Sequence, residues 1–79
     1  MLILYTKQTC VFCHKVRHFA TTVGISLEQK DINADPSIMS ELIERGGKRQ
    51  VPYLVDQTRG VSMYESDDIV SYLKENYVR

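Results

Sequence analysis

The chain has 79 residues, of which 43% are hydrophobic and 25% are charged, and its ten basic side chains balance its ten acidic ones. This length and composition predict one small soluble domain over residues 1–79. No apolar run approaches the roughly 20 residues of a membrane helix, and no signal-peptide pattern is present. Zero net charge also disfavours nucleic acid as a partner. We therefore expect a protein that stays where it is made and binds neither membrane nor nucleic acid.

The chain opens with a predicted strand and helix. Residues 2–6 form an apolar run without polar alternation, which is typical of a short strand buried on both faces. From Phe12 onward, apolar side chains recur at helical spacing until Gly24, a residue that commonly ends a helix. This segment is the clearest helix of the sequence.

A second strand and helix follow. Residues 26–32 alternate weakly between polar and apolar side chains, which suits an edge strand. Asp35 is then a good N-cap for a helix that begins at Pro36, because proline is favoured at the first helical position. The glycine pair Gly46 and Gly47 predicts the end of that helix.

The last third of the chain predicts a hairpin and a closing helix. Residues 53–55 and 61–64 are strand candidates that flank a polar loop, and Ser66 is expected to cap the helix that follows. The order β-α-β-α-β-β-α makes the first two strands parallel. We predict an α/β domain with a four-stranded mixed sheet and helices on both faces.

The two cysteines, Cys10 and Cys13, are the most informative feature. A disulfide over so short a loop removes little unfolded-state entropy, so the pair is expected to serve chemistry rather than stability. Cys10 falls at the start of the first helix, where the helix dipole and free amides favour its thiolate. Cys10 is therefore the predicted nucleophile, and Cys13 can attack the mixed disulfide in turn.

Zinc binding and an inert structural pair are the alternatives for these cysteines. Tetrahedral zinc needs two more ligands, and only His14 and His18 are available. Both histidines lie on the same predicted helix as Cys13, and one helix is poorly able to surround a metal ion. We therefore expect redox chemistry and no metal site.

Three separated motifs together resemble glutaredoxins. They are Tyr5 to Cys13 (YTKQTCVFC), Val51-Pro52, and Glu65 to Ile69 (ESDDI). The resemblance covers the whole chain and implies the minimal thioredoxin fold, which is also the fold of glutathione transferase N-terminal domains. It makes Cys10 the nucleophile and Cys13 the resolving thiol, and it implies a cis peptide before Pro52. Glutathione would be the reductant, with no tightly bound cofactor.

The resemblance also implies a glutathione site. Lys7 and Arg49 would meet the glycyl carboxylate, and the backbone of Val51 beside Pro52 would pair with the cysteine of glutathione. In the motif Glu65-Ser66-Asp67, Ser66 would meet the γ-glutamyl carboxylate and Asp67 the amine. Phe12 is expected to form an apolar lip of the cleft. The alternative is that Ser66 and Asp67 only stabilise a helix start, and that Lys7 and Arg49 are solvated surface charges.

We accordingly predict a monomeric cytoplasmic oxidoreductase whose partners are glutathione and disulfide-containing or glutathionylated proteins. Two alternatives remain open. Val11 after the first cysteine and His14 after the second also resemble glutaredoxin-like hydrogen donors that thioredoxin reductase reduces. The absence of a proline between the cysteines is also compatible with an iron–sulfur cluster carrier.

Overall fold

The computed structural model describes residues 1–78 and contains seven elements in the predicted order. Their bounds are β1 Leu2–Thr6, α1 Val11–Val23, β2 Glu28–Asp31, α2 Pro36–Gly46, β3 Tyr53–Asp56, β4 Val61–Tyr64 and α3 Ser66–Tyr77. Strand β2 is shorter than expected, since residues 26, 27 and 32 lie outside it. Over the described range, none of the helices has the length and apolar character needed to cross a membrane.

The four strands form one mixed sheet in the order β2-β1-β3-β4. Strand β1 runs parallel to β2 and antiparallel to β3, and β3 runs antiparallel to β4. All five residues of β1 are buried, as its apolar run predicts for a central strand. The predicted four-stranded mixed sheet is confirmed.

The core has two layers, one on each side of the sheet. Helices α1 and α3 cover one face, where Val16, Ile69 and Leu73 pack against Leu4 and Leu54. Helix α2 covers the opposite face, where Leu42 packs with the alternate residues of β1 and β3. Successive strand residues point to opposite faces, so an entirely apolar strand needs a helix on each side. The helices do lie on both faces, and the α/β fold class is confirmed.

Local signals set most helix ends, with one correction. Gly24 and Gly47 adopt left-handed φ values of 78° and 83° at the ends of α1 and α2, and Asp35 accepts a hydrogen bond from the Ser37 amide. The expectation that Ser66 is the N-cap of α3 is wrong. Glu65 holds that position with φ 72°, so helical geometry already begins at Ser66. No side chain of residues 1–78 caps this helix.

A buried aspartate holds α3 against the sheet. Asp56, at the end of β3, is fully buried and accepts hydrogen bonds from the hydroxyls of Tyr72 and Tyr77. The amides of Thr58 and Arg59 also donate to it, at 3.1 and 3.3 Å. Burial opposes its charge, but these hydrogen bonds outweigh burial and lower the pKa of Asp56. The carboxylate therefore anchors the far end of the helix whose beginning borders the candidate site.

Candidate active site

Cys10 occupies the N-cap position of α1, directly after the loop that follows β1. Its backbone is extended, and its Sγ accepts a hydrogen bond from the amide of Cys13 at 3.2 Å. Cys13 lies one turn further along and is fully buried, whereas Cys10 is partly exposed. The structure thus places one thiol within reach of a substrate and the other beneath it.

The two thiols differ in acidity for identifiable reasons. Burial raises the pKa of Cys10, but hydrogen bonds from the Cys13 thiol and from the amides of Cys13 and Phe12 outweigh burial, and the charge of Arg17 adds to them. The net result is a lowered pKa for Cys10. Burial and the hydrogen bond to Cys10 instead raise the pKa of Cys13. This asymmetry makes Cys10 the better nucleophile and keeps Cys13 protonated in the resting pair.

Arg17 also organises the loop that precedes Cys10. Its Nη1 donates to the hydroxyl of Thr6 and, at 3.3 Å, to the carbonyl of Lys7. The same Lys7 carbonyl accepts the amide of Cys10 at 3.2 Å. Arg17 was not among the site residues predicted from the sequence. The sequence does indicate that Arg17 lies on the same side of α1 as Cys10, because Arg17 is seven residues after Cys10 and two helical turns return to the same face.

A cleft of about 510 Å³ opens beside the first turn of α1. The segment before β3 and the start of α3 form its other walls, and its lining residues are Phe12, Gln50, Val51, Pro52, Glu65, Ser66, Asp67 and Asp68. Six of these are residues that the sequence analysis assigns to the glutathione site. The peptide between Val51 and Pro52 is cis, as the resemblance implies. Phe12 is 62% exposed, consistent with an apolar lip.

Ser66 lines this cleft and is only 7% exposed as a whole residue. Its Oγ makes no hydrogen bond within residues 1–78 but is not an enclosed atom, so it stays open to solvent in the cleft. The first backbone bond of α3 runs from the Ile69 amide to the Glu65 carbonyl, so the amides before Ile69 have no helical acceptor. A hydroxyl and free amides at a helix start form a suitable binding place for a carboxylate.

The acidic side chains of the cleft differ in their partners. Asp67 forms an ion pair with Lys15 of α1, and both side chains are largely exposed. Glu65 accepts a hydrogen bond from Gln50 Nε2 at 3.1 Å. Gln50 and Asp68 were not predicted as site residues, although both border residues that were. The structure adds these two residues to the cleft.

Two predicted site residues lie apart from the others. Lys7 and Arg49 are both exposed, and neither belongs to the lining of the cleft. Lys7 lies in the loop before Cys10 and Arg49 lies two residues before Val51, but within residues 1–78 no hydrogen bond or ion pair brings either side chain to the cleft. For metals, residues 1–78 contain no group of three or more histidine, cysteine or acidic side chains arranged to hold an ion.

Comparison with known proteins gives a consistent family assignment. Residues 4–79 match the family described as glutathione S-transferase, N-terminal domain. Glutaredoxin 3 of Escherichia coli strain K12 is 31% identical over 51 residues, which make up 65% of this chain and 61% of that relative. The match therefore spans about three fifths of the curated relative's length.

Solved structures show the same fold. A delta-class glutathione transferase of Nilaparvata lugens is 27% identical with a TM-score of 0.83, over 100% of this chain and 37% of the transferase. Glutathione S-transferase 1-6 of Anopheles dirus species B is 29% identical with a TM-score of 0.81, over 98% of this chain and 36% of the transferase. This chain thus corresponds to little more than a third of each transferase.

Proposed function

Because this chain belongs to the family of glutathione S-transferase N-terminal domains and is a glutaredoxin-like protein of the thioredoxin fold, we propose that it is a glutathione-dependent thiol–disulfide oxidoreductase. One observation carries the proposal. A partly exposed thiol of lowered pKa, Cys10, lies directly against a buried thiol of raised pKa, Cys13. Such a pair can exchange two electrons with a disulfide, whereas a binding site for glutathione alone needs no second thiol.

The reaction follows from the placement of the two sulfurs. The Cys10 thiolate attacks one sulfur of the substrate disulfide, a new bond joins Cys10 to the substrate, and the other sulfur leaves as a thiolate. Cys13 then loses its proton and attacks Cys10 Sγ, which releases the second substrate sulfur as a thiol. Two glutathione molecules reduce the resulting Cys10–Cys13 disulfide and are themselves oxidised to glutathione disulfide.

In the proposed complex, glutathione occupies the cleft. The hydroxyl of Ser66 and the free amides of α3 bind the γ-glutamyl carboxylate, and the backbone of Val51 pairs with the cysteine residue. Asp67 binds the amine by exchanging its present partner Lys15 for the ligand. Lys7 and Arg49 remain the proposed partners of the glycyl carboxylate, which requires their side chains to turn toward the cleft.

We also propose a cellular compartment, an oligomeric state and a class of protein substrates. A glutathione-dependent enzyme needs a compartment whose thiol pool is kept reduced, and the cytoplasm is such a compartment. We propose a monomer there that acts on disulfide-containing and glutathionylated proteins.

The test is reduction of a glutathionylated peptide under two recycling systems. One contains glutathione with glutathione reductase, and the other contains thioredoxin reductase alone. We expect turnover only with glutathione. Turnover only with thioredoxin reductase would instead indicate a hydrogen donor, and visible absorbance of the purified protein would indicate an iron–sulfur cluster.

Two variants test the roles of the cysteines. Cys10→Ser should abolish all turnover, because it removes the attacking sulfur. Cys13→Ser should stop reduction of dithiol substrates but retain reduction of the glutathionylated peptide, which needs only one protein thiol. The opposite pattern would reverse the assignment of the two roles.

A further inference from the structure

The wall of the cleft formed by the start of α3 is acidic. Three of the eight lining residues are carboxylates, namely Glu65, Asp67 and Asp68. Within the part of the chain that the structure describes, the lining contains no lysine, arginine or histidine. A substrate that enters the cleft therefore meets negative charge on the α3 side. Among residues 1–78, no positively charged side chain of the lining neutralises this charge.

Two of these three charges lack a cationic partner. Asp67 is paired with Lys15, which compensates its charge from outside the lining. Glu65 accepts a hydrogen bond from the neutral amide of Gln50, so its charge persists. Asp68 is exposed and forms neither an ion pair nor a side-chain hydrogen bond with residues 1–78. Arg17, the cation that acts on Cys10, is already bound to the Thr6 hydroxyl and the Lys7 carbonyl.

The same cleft shows independent signs that it accepts a ligand. The hydroxyl of Ser66, a residue of which only 7% is exposed, makes no hydrogen bond within residues 1–78 and is open to this cleft. Phe12, two residues from the nucleophile, exposes 62% of its surface at the cleft edge. A peptide backbone supplies the acceptor that the hydroxyl lacks, and its side chains can cover the exposed ring.

We propose that the cleft selects peptide disulfides in which a lysine or arginine adjoins the cysteine that Cys10 attacks. The basic side chain pairs with Asp68 and Glu65, while the peptide packs on Phe12. This inference rests on the proposed function and names the substrate class of the same site. The chemistry is the exchange given above: Cys10 joins the attacked sulfur, the peptide disulfide gains two electrons, and glutathione supplies them.

The test uses symmetric disulfide-linked peptides that differ only in the residue beside cysteine, with lysine, glutamine or glutamate placed before it or after it. We expect kcat/KM to fall in the order lysine, glutamine, glutamate, by about three- to tenfold overall, as for partly exposed ion pairs. Salt near 1 M should remove most of this preference, because it shortens the Debye length to about 3 Å. Each rate is divided by the uncatalysed rate with glutathione, since a neighbouring charge also changes the intrinsic reactivity of a disulfide.

Two variants of α3 test whether Asp68 causes the preference for lysine-containing peptides. Asp68→Asn should reduce the ratio of lysine-peptide to glutamine-peptide kcat/KM by about two- to fivefold, the range for one exposed ion pair. Glu75→Gln, which removes an exposed carboxylate about 10 Å further along α3, should leave that ratio unchanged. Equal normalised rates for all peptides, or equal ratios in the two variants, would overturn the inference.

A neutral substrate separates this inference from the proposed function. Hydroxyethyl disulfide with glutathione forms a mixed disulfide that carries no basic residue. Turnover of this substrate without any preference among the peptides would refute the selectivity alone. Absence of turnover with both hydroxyethyl disulfide and the peptides would refute the proposed function, and the selectivity with it.

Discussion

Replacing Ser66 by alanine separates a role in folding from a role in binding. If Ser66 were the N-cap of α3, its loss would cost about 0.5–2 kcal/mol of stability. The structure instead places Glu65 at the N-cap and leaves the Ser66 hydroxyl without a partner in residues 1–78. Removing this hydroxyl, which is open to solvent in the free protein, breaks no hydrogen bond within residues 1–78. We therefore expect the free energy of unfolding to change by less than about 0.5 kcal/mol.

The same substitution should weaken glutathione binding considerably. A hydrogen bond to a charged group contributes about 1.5–3 kcal/mol, and each 1.4 kcal/mol corresponds to about tenfold in affinity. Loss of the bond between the Ser66 hydroxyl and the γ-glutamyl carboxylate should then raise the KM for glutathione by about 10- to 100-fold. The effect on kcat should be smaller, because Cys10 and Cys13 are untouched.

The assay combines urea unfolding, followed by circular dichroism, with steady-state reduction of a glutathionylated peptide at varied glutathione concentration. Ser71→Ala is the matched control, since Ser71 lies on the exposed side of the same helix. It should change neither stability nor KM. A loss of more than about 1 kcal/mol in Ser66→Ala with an unchanged KM would refute the reasoning and restore Ser66 as a helix cap.

Two further predictions concern charge. Arg17→Met should raise the pKa of Cys10, because it removes the nearby cation and the hydrogen bond to the Lys7 carbonyl, whereas Arg17→Lys should raise that pKa less. The pH dependence of Cys10 alkylation measures the pKa in each protein. Equal pKa values in the wild type and both variants would contradict the role of Arg17 in lowering the pKa of Cys10. Asp56→Asn should cost about 1–3 kcal/mol near pH 7. Since the folded pKa of Asp56 is lowered, its ionisation stabilises the fold above its unfolded pKa of about 3.9, and this stability is lost as the pH falls through the folded pKa. Urea titrations should therefore show the two proteins converging toward about pH 2, and a constant difference would argue against an ionised Asp56.

Much of the fold is predictable because it follows from local rules. An apolar run without alternation identifies β1 as the central strand, and helical spacing with glycine stops defines α1 and α2. Cys10 is recognisable as a helix-start thiol from its position before the first apolar residues of α1. These features depend on residues within one or two turns of each other. Prediction from sequence is therefore accurate for the elements and for the position of Cys10 at the start of α1.

The side-chain contacts around the cleft were less accessible from the sequence, because distant segments meet there. Lys15 and Asp67 are 52 residues apart, and Gln50 and Glu65 are 15 apart, so no periodic pattern connects them. The Lys15–Asp67 contact depends on how α1 and α3 pack on one face of the sheet. The Gln50–Glu65 contact depends on the pairing of β3 with β4, which brings the segment before β3 beside the residue after β4.

The sequence by itself determined the strands, the helices and the thiol that stands at a helix start, since these arise from periodicity and backbone preferences within short segments. The tertiary structure decided that Ser66 lies in the first turn of α3 and lines the cleft rather than capping the helix. The reason is the left-handed backbone of Glu65, which starts α3 one residue earlier than its cap-like serine suggests. The same structure decided which carboxylates of the cleft have partners and which face a substrate.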